Sequence, residues 1–248
     1  MRQYLKADLW RIAHRKKKWF FWLLCVLIGF DFARSTAEVT SGNLSLLIKY
    51  YQNCLEYVTM FLGLFNLLHV YEDDLSVKTM QIVIGKGISR GKIITCKWLE
   101  MMILTLVDSV TVLGSVWLGT TVEGVWIKGG NITNMLVILV FVLLISALAT
   151  ALTMILIFHN MRLGVGLVLY EVLFFRPLTR LNTFLETIGS NFVRLHPGRV
   201  LPGNNIDNFC TGLKIGHFEF ANFLLILIFI AIGFFFSYRI FKSKELDF

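Results

Sequence analysis

The stretch IGKGISRGK at 84–92 has the residue types of a phosphate-binding loop, because it concentrates glycines and basic residues. A nucleotide-binding P-loop needs four residues between its two glycines and a Ser or Thr after its Lys, since that hydroxyl holds magnesium. Here five residues separate Gly85 from Gly91, and an isoleucine follows Lys92. The dinucleotide pattern fails as well, because Arg90 stands where its third glycine is required. The spacing therefore excludes both nucleotide motifs.

The other residues that could do chemistry lack the spacing of a catalytic or metal site. Glu72, Asp73 and Asp74 are consecutive rather than spaced as in a DDxxD motif, and a helix start explains them. No HExxH or GxGD pattern of a membrane-embedded enzyme occurs, and His196 and His217 lack metal-ligand spacing. The four cysteines form no CxxC pair and are expected to be apolar fillers: Cys25, Cys54, Cys96 and Cys210. We therefore expect neither catalysis nor a metal or cofactor in this chain.

The composition indicates a membrane protein. Of 248 residues, 56% are apolar and only 16% are charged, and Phe alone occurs 22 times. A soluble domain carries about 25% charged residues, so this chain lacks the polar surface that water requires. The formal charge of +8 then marks the cytoplasmic side of a membrane. Nucleic acid is not an expected partner, because no soluble segment interleaves basic residues with exposed aromatics.

The hydropathy pattern predicts an all-α membrane protein, because six stretches approach the roughly 20 apolar residues that a spanning helix needs. The predicted spans are 19–30, 55–70, 98–118, 132–158, 163–175 and 220–238. They form a transmembrane domain over 19–240, followed by a tail over 241–248. Glycines in the fifth span, Gly164 and Gly166, are expected to allow close helix approach.

The distribution of Lys and Arg predicts the orientation. Sixteen of the 24 basic residues fall in the first eighteen residues, in 71–97, in 159–162 and in the tail. The positive-inside rule then places both termini in the cytoplasm of a multi-pass protein of the cell membrane. The long connection 177–219 is expected outside, as an ordered cap in which HPGRVLPGN at 196–204 forms Pro and Gly turns.

The opening segment 1–18 is predicted to be a basic amphipathic helix lying at the membrane interface. Its apolar and basic residues fall on different sides of a helical wheel: Leu5, Leu9 and Ile12 against Lys6, Arg11 and Arg15. Such a helix places its basic side chains near anionic lipid headgroups. The alternative is a merely solvated basic tail.

The cytoplasmic connection 72–92 is predicted to hold a short helix at about 73–85. Asp73 or Asp74 can cap its start, and Gly85 with Gly87 can end it. Its apolar side comprises Leu75, Met80, Ile82 and Val83, and basic residues ring it: Lys78, Lys86, Arg90 and Lys92. Ser89 is a candidate cap for the next helix. The alternative is an ordinary basic loop with turn glycines.

This connection resembles the same region in permeases of ABC exporters, in the branch that includes lantibiotic-immunity, bacitracin-resistance and sodium-extrusion permeases. The matching residues are Glu72, Thr79, Ser89, Arg90, Lys92 and Lys97. The resemblance implies two cytoplasmic ATPase subunits, which bind ATP and Mg²⁺, and a second permease, identical or related. It also implies that the ATPases contact the coupling segment at Glu72, Asp73, Asp74, Lys78, Thr79, Ile82, Gly85, Lys86, Gly87, Ser89 and Arg90.

The expected function is export of an amphipathic peptide or hydrophobic antimicrobial, giving immunity or resistance. The cargo class rests on the resemblance. Export of a lipid-linked glycan or of sodium stays open, as does a sensor or immunity protein that binds a peptide without transporting it.

Three acids in predicted spans, Glu100, Asp108 and Glu171, are candidates for the translocation path. A carboxylate in mid-bilayer costs about 2.5–3.5 kcal/mol, so each should face a partner or water. Glu100 can pair with Lys97, three residues earlier. Asp108 has Ser109 and Thr111 nearby, and Glu171 precedes Arg176. For Asp108 and Glu171 the equal alternative is a satisfied buried acid that fixes helix packing, and for Glu100 it is the pair with Lys97.

Overall fold

The computed structural model describes residues 2–40, 61–72, 74–75, 79–122, 129–160, 163–175 and 202–243. Apart from short turns, these residues are helical, and they contain no β-strand. The predicted all-α class is therefore confirmed.

The described helices follow the chain in a simple order, and several of them are long. They are α1 (Arg2–Ala13), α2 (Lys16–Thr40), α3 (61–72), α4 (Thr79–Gly85), α5 (Arg90–Val122), α6 (Gly129–Asn160), α7 (Leu163–Phe175), α8 (Pro202–Ile215) and α9 (Phe220–Ser243).

Four of the described helices contain segments long and apolar enough to cross a membrane: Lys16–Thr36, Arg90–Val122, Met135–His159 and Phe220–Ser243. Large apolar side chains are exposed on them, such as Phe20 on α2 and Phe235 on α9. Such exposure costs little when lipid is the solvent, so the chain is a membrane protein. The six-span arrangement stays a prediction, because α7 is short and the second predicted span lies partly outside the described residues.

The chain divides into two compact units, Met1–Leu143 and Leu144–Phe248, and the boundary falls within α6. In unit one, α2 packs along α5, and α1 packs against both of these helices. A side chain at Gly29 of α2 would meet Ser115 Oγ at 2.8 Å, and one at Gly119 of α5 would meet the Phe30 carbonyl at 2.6 Å. Both glycines therefore let the two helices approach closely.

Unit two also uses glycines where its helices meet. A Cβ at Gly233 of α9 would lie 2.9 Å from the backbone of Ala151 in α6. Gly166 of α7 similarly faces the Ile157 side chain of α6. The expectation of close approach is thus confirmed for Gly166, whereas at the exposed Gly164 no atom of the described residues lies within 4 Å of an added Cβ.

Several predicted boundaries differ from the observed ones. Pro202, Gly203 and Asn204 form the first turn of α8 instead of an irregular turn, because proline is favoured at the first helical position. The amphipathic helix ends at Ala13, and the basic run from Lys16 already belongs to α2. Hydropathy locates the apolar part of a helix, whereas backbone hydrogen bonding continues into its polar ends.

Candidate functional site

Of the short helix predicted at about 73–85 in the connection 72–92, the structure describes α4 (Thr79–Gly85) and helical residues at 74–75. Helix α4 ends at Gly85, and Gly87 adopts a φ of 85°, which favours glycine. The Gly87 amide donates to the Ile84 carbonyl over 2.9 Å, and the Ile88 amide donates to the Val83 carbonyl over 3.3 Å. The glycine turn therefore stops α4 as the sequence predicted.

The two sides of α4 differ in exposure. Met80 is buried, whereas Ile82 is 56% exposed. The turn that follows exposes Lys86 and Ser89, and the Ser89 carbonyl accepts from the Ile93 amide in the first turn of α5 over 3.2 Å. This segment thus presents an apolar side chain together with polar groups on a short, defined element.

The structure describes only some of the residues that are predicted to contact the ATPases. Asp73 and Lys78 lie outside the described residues, and Thr79 is described by its backbone only. Glu72 is exposed at the end of α3, while Arg90 is half-buried at the start of α5.

A buried ionic cluster joins the start of this connection to α1 and α5. Lys97 of α5 is completely buried, and its ammonium contacts the carboxylates of Asp8 and Asp74. It also donates to Glu100 Oε2 over 3.1 Å and to the Val70 carbonyl over 3.2 Å. One cation therefore holds together the N-terminal helix, the end of α3, the segment before α4, and α5. We call Asp8, Arg11, Asp74, Lys97 and Glu100 the Lys97 cluster.

Arg11 adds a second cation to the Lys97 cluster. Its Nη2 lies 2.6 Å from Asp8 Oδ1 and 3.9 Å from Asp74 Oδ1. Burial raises the pKa of Asp8, but Lys97 and Arg11 outweigh burial, and the pKa falls below the ordinary 3.8. The carboxylate form of Asp8 therefore contributes to the folded structure.

The sequence revealed only part of the Lys97 cluster. The expected pair between Lys97 and Glu100 is confirmed. Asp8 was missed because it is 89 residues from Lys97 in sequence. One feature of the sequence could have indicated its role. Asp8 is the single acid of α1 and lies one turn before Ile12, on the apolar side of that helix.

Asp108 lies in a second polar arrangement, deeper in α5. Its Oδ2 accepts from Asn66 Nδ2 over 2.6 Å, and Lys18 Nζ donates to Asn66 Oδ1 over 3.2 Å. Asp108 is completely buried, and its Oδ1 has no hydrogen-bond partner among the described residues. Thr111 lies nearby, as expected, and donates to the Asp108 backbone carbonyl over 2.8 Å.

A largely apolar cavity of about 320 Å³ lies beside this acid. Its lining residues come from α1, α2 and α5: Leu9, Ala13, Lys18, Trp19, Trp22, Ile103, Leu104, Val107 and Asp108. Binding sites commonly combine apolar walls with a few placed polar groups. The geometry therefore suits an apolar group that carries a single hydrogen-bond donor toward Asp108.

Unit two contains a different kind of polar interior. Ser146 and Tyr170 are linked by a hydrogen bond of 3.2 Å. The hydroxyls of Thr150, Thr153 and Ser237 are buried and have no hydrogen-bond partner among the described residues. Glu171 lies in α7, but its side chain and Arg176 lie outside the described residues, so its place beside Glu100 and Asp108 stays a prediction.

The described residues contain no group of three His, Cys, Asp or Glu side chains arranged to hold a metal ion. Cys25, Cys96 and Cys210 are buried free thiols, in agreement with their expected role as apolar fillers. The chain matches no protein-family model and no curated protein.

Proposed function

We propose that this chain is the membrane-spanning permease subunit of an ABC exporter. The observation that carries the proposal is the Lys97 cluster, which fixes the segment before α4 to two other helices. Asp74 stands five residues before α4, and its carboxylate contacts Lys97 inside α5. A force applied to α4 from the cytoplasm would therefore act on a membrane helix through a buried contact.

The far end of the connection supports the same role. After α4, the chain passes through the Gly87 turn and enters α5 directly at Arg90. Both ends of the short helix thus lead to α5, one through an ion pair and one through the backbone. In the proposed transporter, two ATPase subunits bind ATP and Mg²⁺ and contact the exposed side of this segment, including Ile82.

The cavity beside Asp108 supports an amphipathic or hydrophobic cargo. Its walls are apolar, and its one acid has an oxygen without a hydrogen-bond partner among the described residues. A second permease, identical or related, would supply the rest of the path. The protein would act in the cell membrane, with both termini in the cytoplasm.

Site-specific crosslinking tests the coupling role. A photoreactive amino acid at Ile82, 56% exposed, is compared with one at Phe218, 53% exposed in the turn between α8 and α9. The tagged full-length chain is expressed with its neighbouring genes and purified without removing lipid. We expect an ATPase subunit to copurify and to crosslink from Ile82 alone. A lone sensor would copurify no ATPase, and a crosslink from Phe218 alone would reverse the proposed orientation.

The Asp108→Asn variant tests the cargo role. It keeps the shape of the side chain and removes its charge, so the helices should still pack. We expect cells that make the variant complex to lose protection against a panel of amphipathic antimicrobial peptides, while the complex copurifies in normal amount. Undiminished protection would leave Asp108 with a structural role.

A further inference from the structure

A basic groove lies at the junction of α1 and α2, separate from the cavity beside Asp108. It has a volume of about 580 Å³. Its lining residues come from this junction and from α3: Arg15, Lys16, Lys17, Phe65, Leu68, His69 and Glu72. The groove therefore combines consecutive cations with a partly apolar wall.

Positive charges outnumber negative charges among the described lining residues of the groove. Arg15, Lys16 and Lys17 supply three cations, and Glu72 is the only carboxylate among the lining residues that the structure describes. Arg15 Nη1 lies 3.6 Å from Glu72 Oε2, whereas Lys16 and Lys17 are exposed. An anion that enters the groove would meet two exposed ammonium groups and would compete with Glu72 for Arg15.

The position of the groove identifies the source of that anion. The apolar span of α2 begins at Lys16, and the next residues after the basic run, Trp19 and Phe20, are exposed apolar side chains. Aromatic and basic residues in this order mark the boundary between hydrocarbon and headgroups. Half-buried Phe65 and Leu68 extend the apolar wall into the groove. A soluble phosphate would gain nothing from this wall, whereas a lipid would place its glycerol and upper acyl carbons there.

We propose that this groove binds the headgroup of an anionic phospholipid. The phosphate contacts the side chains of Lys16 and Lys17, and Glu72 weakens binding by holding Arg15. The inference does not depend on the exporter assignment. It does place a lipid next to Glu72, where the cytoplasmic connection begins, so the surface charge of the membrane would act on that segment.

Lipid titration of the purified full-length protein in detergent tests the site. Short-chain phosphatidylglycerol, short-chain phosphatidylcholine and inorganic phosphate are added separately, and tryptophan fluorescence reports binding. We expect tight binding of phosphatidylglycerol only. Each cation near a membrane surface contributes about fivefold in affinity, so Lys16→Gln/Lys17→Gln should weaken binding by roughly 25-fold. Glu72→Gln should strengthen it by about fivefold, a gain that misfolding cannot produce.

The control removes two charges elsewhere. Lys92 and Lys242 are exposed and lie outside the groove, so Lys92→Gln/Lys242→Gln should leave the affinity unchanged. Equal losses in both double variants would overturn the proposal, since binding would then follow net charge. Equal affinity for phosphatidylcholine would also overturn it, and competition by inorganic phosphate at the same concentration would identify a soluble anion site instead.

Discussion

The two compact units differ in the kind of polar group that they bury. Unit one buries charges, with Lys97 among the carboxylates of Asp8, Asp74 and Glu100, whereas the described interior of unit two buries uncharged groups such as Ser237. Both units use glycines to bring helices together. A buried charge must keep its oppositely charged partner in contact, because an unpaired ion in an apolar interior costs a large amount of free energy. A buried hydroxyl tolerates several arrangements, so unit one is expected to be the more rigid transmitter of movement.

Removal of the central cation is expected to have the largest effect. Lys97→Met would leave three buried carboxylates without their ammonium partner, at a cost of about 3–5 kcal/mol. Thermal unfolding of the purified protein in detergent measures this loss. Lys92→Met, an exposed lysine of the same helix, is the control and should stay within about 0.5 kcal/mol. Similar midpoints for the two variants would mean that the Lys97 cluster contributes little to rigidity.

Overpacking in unit two should have the next largest effect. Gly233→Val places a side chain against the Ala151 backbone, which an added Cβ would meet at 2.9 Å, and should cost about 1–3 kcal/mol. Ala231→Val on the exposed side of α9 is the matched control. If both substitutions lower the unfolding temperature equally, the close approach of α9 to α6 does not stabilise unit two.

Asp8→Asn should have a smaller effect that depends on pH. Because the pKa of Asp8 lies below 3.8 in the folded protein, its carboxylate stabilises the fold above that pH. The contribution is lost as the pH falls through the lowered pKa. At about pH 7 the variant should lose about 1.5 kcal/mol, the low end of the range for a hydrogen bond to a charged group, because the Asn amide oxygen can still accept.

The unfolding midpoints of wild type and Asp8→Asn should converge as the pH is lowered below the ordinary pKa of 3.8 and through the lowered pKa of folded Asp8. Asp31→Asn, which alters an exposed acid of α2, should match wild type throughout. A constant difference between wild type and Asp8→Asn at every pH would contradict a role for the ionised carboxylate.

Loss of a buried hydroxyl in unit two should have the smallest effect. Ser237→Ala removes a group that has no hydrogen-bond partner among the described residues, so the unfolding free energy should change by at most about 0.5 kcal/mol. Thr150→Val preserves side-chain shape at a second such position and should behave alike. A large loss in either variant would show that these hydroxyls are paired, which would remove the contrast between the units.

Features that depend on a few neighbouring residues were predictable from the sequence. Contacts between residues far apart in the chain were not. Hydropathy identified the long helices, and the glycine spacing after Ile84 identified the end of α4, because both signals lie within a few residues. The pair of Lys97 with Glu100 followed from helical spacing. Asp8 and Asn66 could not be assigned to their partners, since the packing of α1 and α3 against α5 decides those contacts. Hydropathy also could not distinguish Gly166, which faces a neighbour, from Gly164.

The separation between Asp8 and Lys97 has a consequence for biosynthesis. The two residues are 89 positions apart, so the ribosome needs roughly 5 to 20 seconds to make the intervening chain. During that interval Asp8 has Arg11 available as a partner, three residues away, but not Lys97. The contact between α1 and α5 through Asp8 and Lys97 can therefore form only after α2, α3 and the start of α5 have been made.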